Sequence, residues 1–363
     1  MNSKIPVGVL GATGTVGQRF VQLLDGHPWF EVVAVTGSER TAGRPYGEGV
    51  NWKMAGEPPP AVARLIVQPT EPNLDVGGEP PVVFSALPTA EAKEWEPQFA
   101  AAGYAVVTNA SAFRMVSDVP LLIPEVNPDH TGLIPAQQAN NNWHGFIVAS
   151  PNCSTTSAIL PLKVWQEAFG LEAAIITTMQ ATSGAGYPGV ASLDIMDNVV
   201  PYIGGEDDKL ENEPKKLLGA VSEGRLYLAG VKLSAQANRV PVIDGHLASV
   251  SVKLGRPAGV EEAIAALEAW QPPAVCRELP SAPERPLIYR HEPNRPQPRL
   301  DRDAENGLAW TVGKVRPCDV LDLRFLSLSH NTLRGAASGA LLNAELLVVQ
   351  GFLRRCAGER VKG

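Results

Sequence analysis

The chain has 363 residues, 44% hydrophobic and 19% charged, which is too long for one ordinary core and predicts two domains. A formal net charge of -7 argues against a nucleic-acid surface, and no run approaches the roughly 18 consecutive apolar residues of a membrane span. The four cysteines, Cys153, Cys276, Cys318 and Cys356, lie far apart without paired spacing, so neither a metal site nor a disulfide framework is expected. The opening MNSKIPVGVLGATG lacks the layout of a secretory leader, and a cytoplasmic protein is expected.

In chain order, Ile5 to Leu10 reads as a buried strand, GATGTVG as a tight turn, QRFVQLLDGH as a helix and FEVVAVTG as the next strand. That βαβ unit has the length of a nucleotide-binding half. PPVVFSALP, AEAKEWEPQFAAAG (ended by Gly103) and YAVVTNAS continue the alternation, which suits a doubly wound parallel sheet. GFIVAS is a further strand, broken at Pro151. Beyond residue 153 a long helix is followed by AAIITTMQAT, LASVSVKL and LDLRFLSLS interleaved with helices, a pattern that fits a mixed sheet. Between Pro272 and Pro298 proline and arginine crowd together without periodicity, which predicts an irregular surface excursion. A last helix, within 332–363, is expected to pack back on the first domain. The expected boundaries are 1–152 for a nucleotide-binding domain and 153–331 for a second, α+β domain.

The glycines of GATGTVG each have a use. Gly11 permits the turn, Gly14 lets a phosphate approach the backbone, and Gly17 allows close helix packing. The helix start at Thr13, Thr15 and Val16 offers free N–H groups and partial positive charge to a pyrophosphate. About 20 residues further on, where an NAD site carries an acid, this chain has VAVTGSER. Ser38 can donate to a ribose 2′-phosphate and Arg40 can neutralise it, so NADP is the expected cofactor, although Glu39 stands between them.

In SPNCSTTSAIL, Cys153 stands where a helical pattern begins. A thiol there feels the helix dipole and orphan N–H groups, which favour thiolate and could also stabilise an oxyanion, with the Asn152 amide as a further donor. A nucleophile of this kind needs a proton partner. Of six histidines, His246 and His330 are the candidates, and His246 is favoured because Arg239 precedes it on the same strand-like segment, and a cation beside a base suits an anionic substrate.

VGVLGATGTVGQRF, SPNCSTT, QATSGAGYPG, GGEDDKLENEPKKLLG, SAQANRVPVIDGH and LSHNTLRGAASGALLNAE together resemble the aspartate-β-semialdehyde dehydrogenase family, of the archaeal and fungal type, in order over nearly the whole chain. The resemblance implies a Rossmann domain plus a glyceraldehyde-phosphate-dehydrogenase-like α+β domain that supplies the dimer interface of a homodimer or homotetramer. It implies NADP-dependent, phosphate-coupled interconversion of aspartyl-4-phosphate and aspartate-4-semialdehyde, on the route to lysine, threonine and methionine. By motif, Cys153 forms the acyl-thioester, Gln180 orients it and His246 is the acid/base. Arg239 grips the substrate carboxylate, Glu206 meets its ammonium, and Lys209 and Arg114 hold the phosphate. Ser183, Gly184, Gly186 and Asn331 contact the cofactor. The same scaffold also suits reductases of other activated acyl groups, malonyl-CoA among them. Ala237 stands where many relatives have a second cysteine.

Overall fold

The computed structural model describes residues 4–354. The first sheet is built from β1 (Ile5–Leu10), β2 (Phe30–Thr36), β3 (Val67–Gln68), β4 (Val82–Ser85), β5 (Ala105–Thr108) and β6 (Phe146–Ala149). All its pairings are parallel and the order is β3-β2-β1-β4-β5-β6. That is the doubly wound order, with a crevice beyond the strand ends where the winding reverses between β1 and β4. β4, β5 and β6 are buried at every position, as strands covered by helices on both faces must be.

The second sheet uses β7 (Leu171–Gln180), β10 (Lys232–Arg239), β11 (His246–Leu254), β12 (Leu287–Arg290), β13 (Trp310–Pro317) and β14 (Leu323–Ser329), while β8 (Ala220–Ser222) and β9 (Arg225–Tyr227) form a separate hairpin. The order β10-β7-β11-β14-β13-β12 mixes parallel and antiparallel pairs, as expected for an α+β unit. β11 alternates buried and less buried residues, so only one face is covered, by the helix Cys153–Phe169. Trp165 of that helix packs edge-on to Phe325 at 4.7 Å, and its Nε1 donates to Ala263 O at 3.0 Å.

Two expectations need correction. The segment 272–298 is not wholly irregular: Leu287–Arg290 adds β12 to the sheet edge beside β13. Four residues flanked by prolines are too short to show a period. The last helix is also shorter than its sequence pattern, running Ser338–Val349 after a bulged turn at Leu333–Ala337; residues 355–363 of the expected 332–363 segment lie outside the described residues. The helix is buried nearly all round. Ala340, Leu342 and Leu346 join Val7, Phe20 and Val107 in one core, and Glu345 accepts from Ser281 Oγ at 2.6 Å and meets His27 Nε2 at 2.8 Å. Among the described residues no helix is long and apolar enough to cross a membrane.

Candidate active site

β1 ends at Leu10, and Gly11 turns the chain with φ +69°, a left-handed conformation that side chains disfavour. Gly17 faces the turn so closely that a Cβ would lie 2.3 Å from Gly11 O, whereas one on Gly14 would find only Gly11 O at 3.5 Å. The helix Thr15–Leu24 begins at Gly14 with no side chain capping its N–H groups. An exposed glycine followed by uncapped donors is what a pyrophosphate requires, so these residues fit a dinucleotide. Ser38 and Arg40 are exposed just past the end of β2.

A cleft of about 540 Å³ runs from Thr15 and Val16 to Asn152, Cys153, Arg114, Ser183, Gly184, Gly186 and Asn331. Ser38 and Arg40 are not part of its wall, and neither are Gly11, Thr13, Gly14, Gln180, Glu206, Lys209, Arg239 and His246. Gln180, Glu206, Arg239 and His246 are instead buried, around Cys153 and Gly184.

Sheet topology explains that convergence. Gln180 ends β7, Arg239 ends the parallel β10 in register with it, and antiparallel β11 starts at His246. Three strand ends therefore meet at one edge, where the helix bearing Cys153 also starts. Cys153 Sγ lies 3.2 Å from His246 Nε2. The Ala181 N–H donates to His246 Nδ1 at 3.0 Å, so the neutral ring carries its proton on Nε2 and offers it to the sulfur. Gly184 packs on both partners: a Cβ would sit 2.9 Å from Arg239 Nη1 and 3.0 Å from His246 Cε1. Gly335 closes the other side, where a Cβ would lie 2.7 Å from that of Cys153. Asn331 joins two loops, accepting from the Gly245 N–H and donating to Ser183 Oγ, both at 2.8 Å.

The expected thiolate is the main point at which the structure differs from the sequence reading. Burial pushes the Cys153 thiol up to about 12, and Glu206 adds to the rise against the opposing Arg114, Arg239 and Lys209. Cys153 is half-buried in the cleft wall, and desolvation of an anion there outweighs the pull of a helix end. Burial also keeps His246 neutral and pushes it down to about 3, with the Arg239 charge as the next cause. Alkylation of Cys153 by iodoacetamide, followed by peptide mass spectrometry, should therefore rise about tenfold per pH unit between roughly pH 7 and pH 10 without levelling. A plateau near neutrality would mean that the helix start and His246 prevail.

Asn152 caps its helix: Oδ1 accepts from the Ser154 N–H at 2.8 Å and from Ser154 Oγ, and Nδ2 donates to Glu206 Oε1 at 2.9 Å. One of its two amide hydrogens is thus already engaged. Glu206 gathers further donors from Lys209 Nζ at 2.8 Å and Gln180 Nε2 at 3.2 Å, and its Oε2, 3.0 Å from Ser154 Oγ, shares the single hydrogen of that hydroxyl with Asn152 Oδ1. Burial works against its ionisation, but these bonds, Lys209 foremost, hold the carboxyl below its ordinary range. Arg239 donates Nη1 to Ala181 O at 2.7 Å, and burial lowers its pKa. Arg114 Nη1 donates to Glu213 Oε1 at 3.1 Å, and its buried Nε has no hydrogen-bond partner.

Sequence reasoning did not single out Glu213, Lys216 and Gly335. The first two belong to the charged run GEDDKLENEPKK, and their only signal was spacing: seven and ten residues after Glu206 falls on the same helix face. Asp207 was also missed; it accepts from the Ala237 N–H at 2.6 Å.

A Rossmann-like parallel sheet, a mixed sheet and a cysteine-histidine contact at a cleft that begins on an uncapped glycine-turn helix are the parts of a nucleotide-dependent oxidoreductase. Residues 6–134 match the family model "Semialdehyde dehydrogenase, NAD binding domain" and residues 162–334 match "Semialdehyde dehydrogenase, dimerisation domain". The aspartate-semialdehyde dehydrogenase of Archaeoglobus fulgidus is 51% identical over 94% of this chain and 97% of its own. That of Cryptococcus neoformans is 44% identical over 97% and 99%. The crystal structure of the Candida albicans enzyme with NADP superposes with a TM-score of 0.87, at 41% identity over 97% of this chain and 100% of that one. The chain belongs to the aspartate-semialdehyde dehydrogenase family, and these relatives are archaeal and fungal, as the motifs predict.

Proposed function

We propose that this protein interconverts L-aspartyl-4-phosphate and L-aspartate-4-semialdehyde with NADP(H) and phosphate, through a thioester on Cys153. The observation that carries the reading is the 3.2 Å approach of Cys153 Sγ to His246 Nε2, with Cys153 in the wall of a cleft that Thr15 and Val16 of the glycine-turn helix also line. In the reductive direction the sulfur attacks the acyl carbon and its proton passes to the leaving phosphate: an S–C bond forms, the S–H bond and the C–O bond to phosphate break, and hydrogen phosphate departs toward Arg114 and Lys209. When bound, the nicotinamide nucleotide supplies the hydride that reduces this thioester, and takes it up in the reverse reaction. Collapse of the tetrahedral oxyanion returns the sulfur as thiolate and frees the aldehyde.

The resting geometry refines the role of His246. Its Nε2–H stabilises charge first on sulfur and then on the substrate oxygen. Full acid/base transfer requires Nδ1 to exchange the Ala181 N–H for a proton. Gln180 and Asn152 orient the intermediate through their shared bonds to Glu206, which meets the substrate ammonium, while Arg239 takes the carboxylate. Gly11, Thr13, Gly14, Thr15 and Val16 hold the pyrophosphate, Ser38 and Arg40 the 2′-phosphate, and Ser183, Gly184, Gly186 and Asn331 the nicotinamide end.

Residues 1–152 form the nucleotide-binding domain, with the last helix packed on it, and 153–331 the catalytic and dimerisation domain. We assign a homodimer or homotetramer, a reading supported by exposed apolar side chains at Ile175, Leu193, Met196, Val199 and Tyr202. Its free thiols suit the cytoplasm. Aspartate semialdehyde with phosphate and NADP should yield phosphate-dependent NADPH, while malonyl-CoA should not oxidise NADPH. Turnover of malonyl-CoA alone would overturn the assignment.

A further inference from the structure

The helix Glu206–Leu217 carries charge at Glu206, Lys209, Glu213 and Lys216, steps of three, four and three residues that place all four on one face. The first pair belongs to the site described above. The second pair faces the segment that bears Arg114. Glu213 Oε1 accepts from Arg114 Nη1 at 3.1 Å, while its Oε2 accepts from the Asn152 backbone N–H at 2.7 Å, one residue before the nucleophile. Lys216 Nζ donates to the carbonyls of Arg114 at 2.7 Å, Val116 at 2.7 Å and Val119 at 2.6 Å.

Lys216 is 0% exposed, a position lysine occupies only when its charge is compensated. Three carbonyls use all three N–H groups of an ammonium, whereas a neutral amine would leave one acceptor unserved. Burial pushes its pKa down to about 7, against the pull of Asp118 and Glu213. The guanidinium at the other end of this clamp also donates Nη2 to Asn109 O at 2.8 Å. Arg114 is thus fixed through its own carbonyl, through Glu213 and through Asn109.

We propose that Lys216 is a positioning residue for phosphate, holding the 109–119 segment so that Arg114 meets the anion in register with Cys153. The role rests on the assignment of Arg114 to phosphate. Glu213 completes the register, since the same carboxylate touches Arg114 and the residue before the nucleophile.

Steady-state kinetics with aspartate semialdehyde, phosphate and NADP test this, with thermal midpoints measured alongside. Lys216→Met should raise the phosphate KM roughly tenfold while the KM for aldehyde and for NADP stay within about twofold. Lys216→Arg, which keeps its donors, should bring the phosphate KM back toward the parent value. If the methionine variant does not fold, Lys216→Gln, with two N–H donors, should show the same selective rise at smaller size. Proportional changes in all three constants, or a fall in kcat with phosphate KM unchanged, would overturn the proposal. Arg114→Ala separates it from its premise. An unchanged phosphate KM there removes the assignment of Arg114 and this inference with it. A raised one, with the Lys216 variants normal, removes the inference alone.

Discussion

Replacing Cys153 with alanine should lower turnover by at least about 10⁴-fold while leaving NADPH affinity within about twofold. The substitution deletes only the sulfur. Asn152 keeps its cap on the Ser154 N–H, and the alanine Cβ keeps the place against Gly335 that a larger side chain would contest. Thr15 and Val16, which line the cleft at the start of the glycine-turn helix, are unchanged. A loss of activity therefore cannot be ascribed to a collapsed helix or a lost cofactor site. The measurement is a single-turnover assay beside a fluorescence titration of NADPH. Substantial residual turnover would remove the covalent step, and a parallel loss of cofactor binding would mean that the cysteine supports the cleft rather than the chemistry.

His246→Ala should cost about 10² to 10⁴ in kcat/KM, since it removes the Nε2 donor that meets the sulfur. His246→Gln separates the two ways in which the imidazole can work. A glutamine amide can donate a hydrogen bond but cannot relay a proton at these pH values. If stabilisation of charge dominates, as the Ala181 bond to Nδ1 implies, glutamine should recover part of the loss. If it is as poor as alanine, proton transfer is essential.

The same residue has a stability signature. Unfolded, its imidazole binds a proton near 6.5; folded, burial first and then the Arg239 charge delay this to about 3. Between those values the unfolded chain holds the extra proton, so stability falls on acidification, by up to ~1.4 kcal/mol per pH unit from this group, and is unaffected by it above 6.5. Urea unfolding of His246→Gln across the same range should show a shallower slope, and an unchanged slope would place the acid sensitivity elsewhere.

Much of the site is legible in the chain because its signals are local. The turn at Gly11, the close packing at Gly17 and the cap of Asn152 on Ser154 are relations within a few residues. Arg239 and His246 are seven residues apart on a strand, a turn and the next strand, and that connection brings both to one sheet edge. β12 and Lys216 escaped for opposite reasons. The strand is too short for periodicity to register, and the lysine sits in a run of charge whose pattern is that of a solvated helix.

The sequence by itself determined most of the long elements and their order, the glycine turn that opens the first helix and the place of Cys153 at the start of another, because propensity, capping and periodicity act between near neighbours. Only the tertiary structure decided the charge states and the partnerships. Lys216 reaches Arg114 across 102 positions, Asn152 reaches Glu206 across 54, and Cys153 reaches His246 across 93. Burial pushes up the pKa of the thiol that a helix start by itself favours as an anion. Desolvation depends on every atom packed around a group, and that packing exists only once the two sheets have closed over the site.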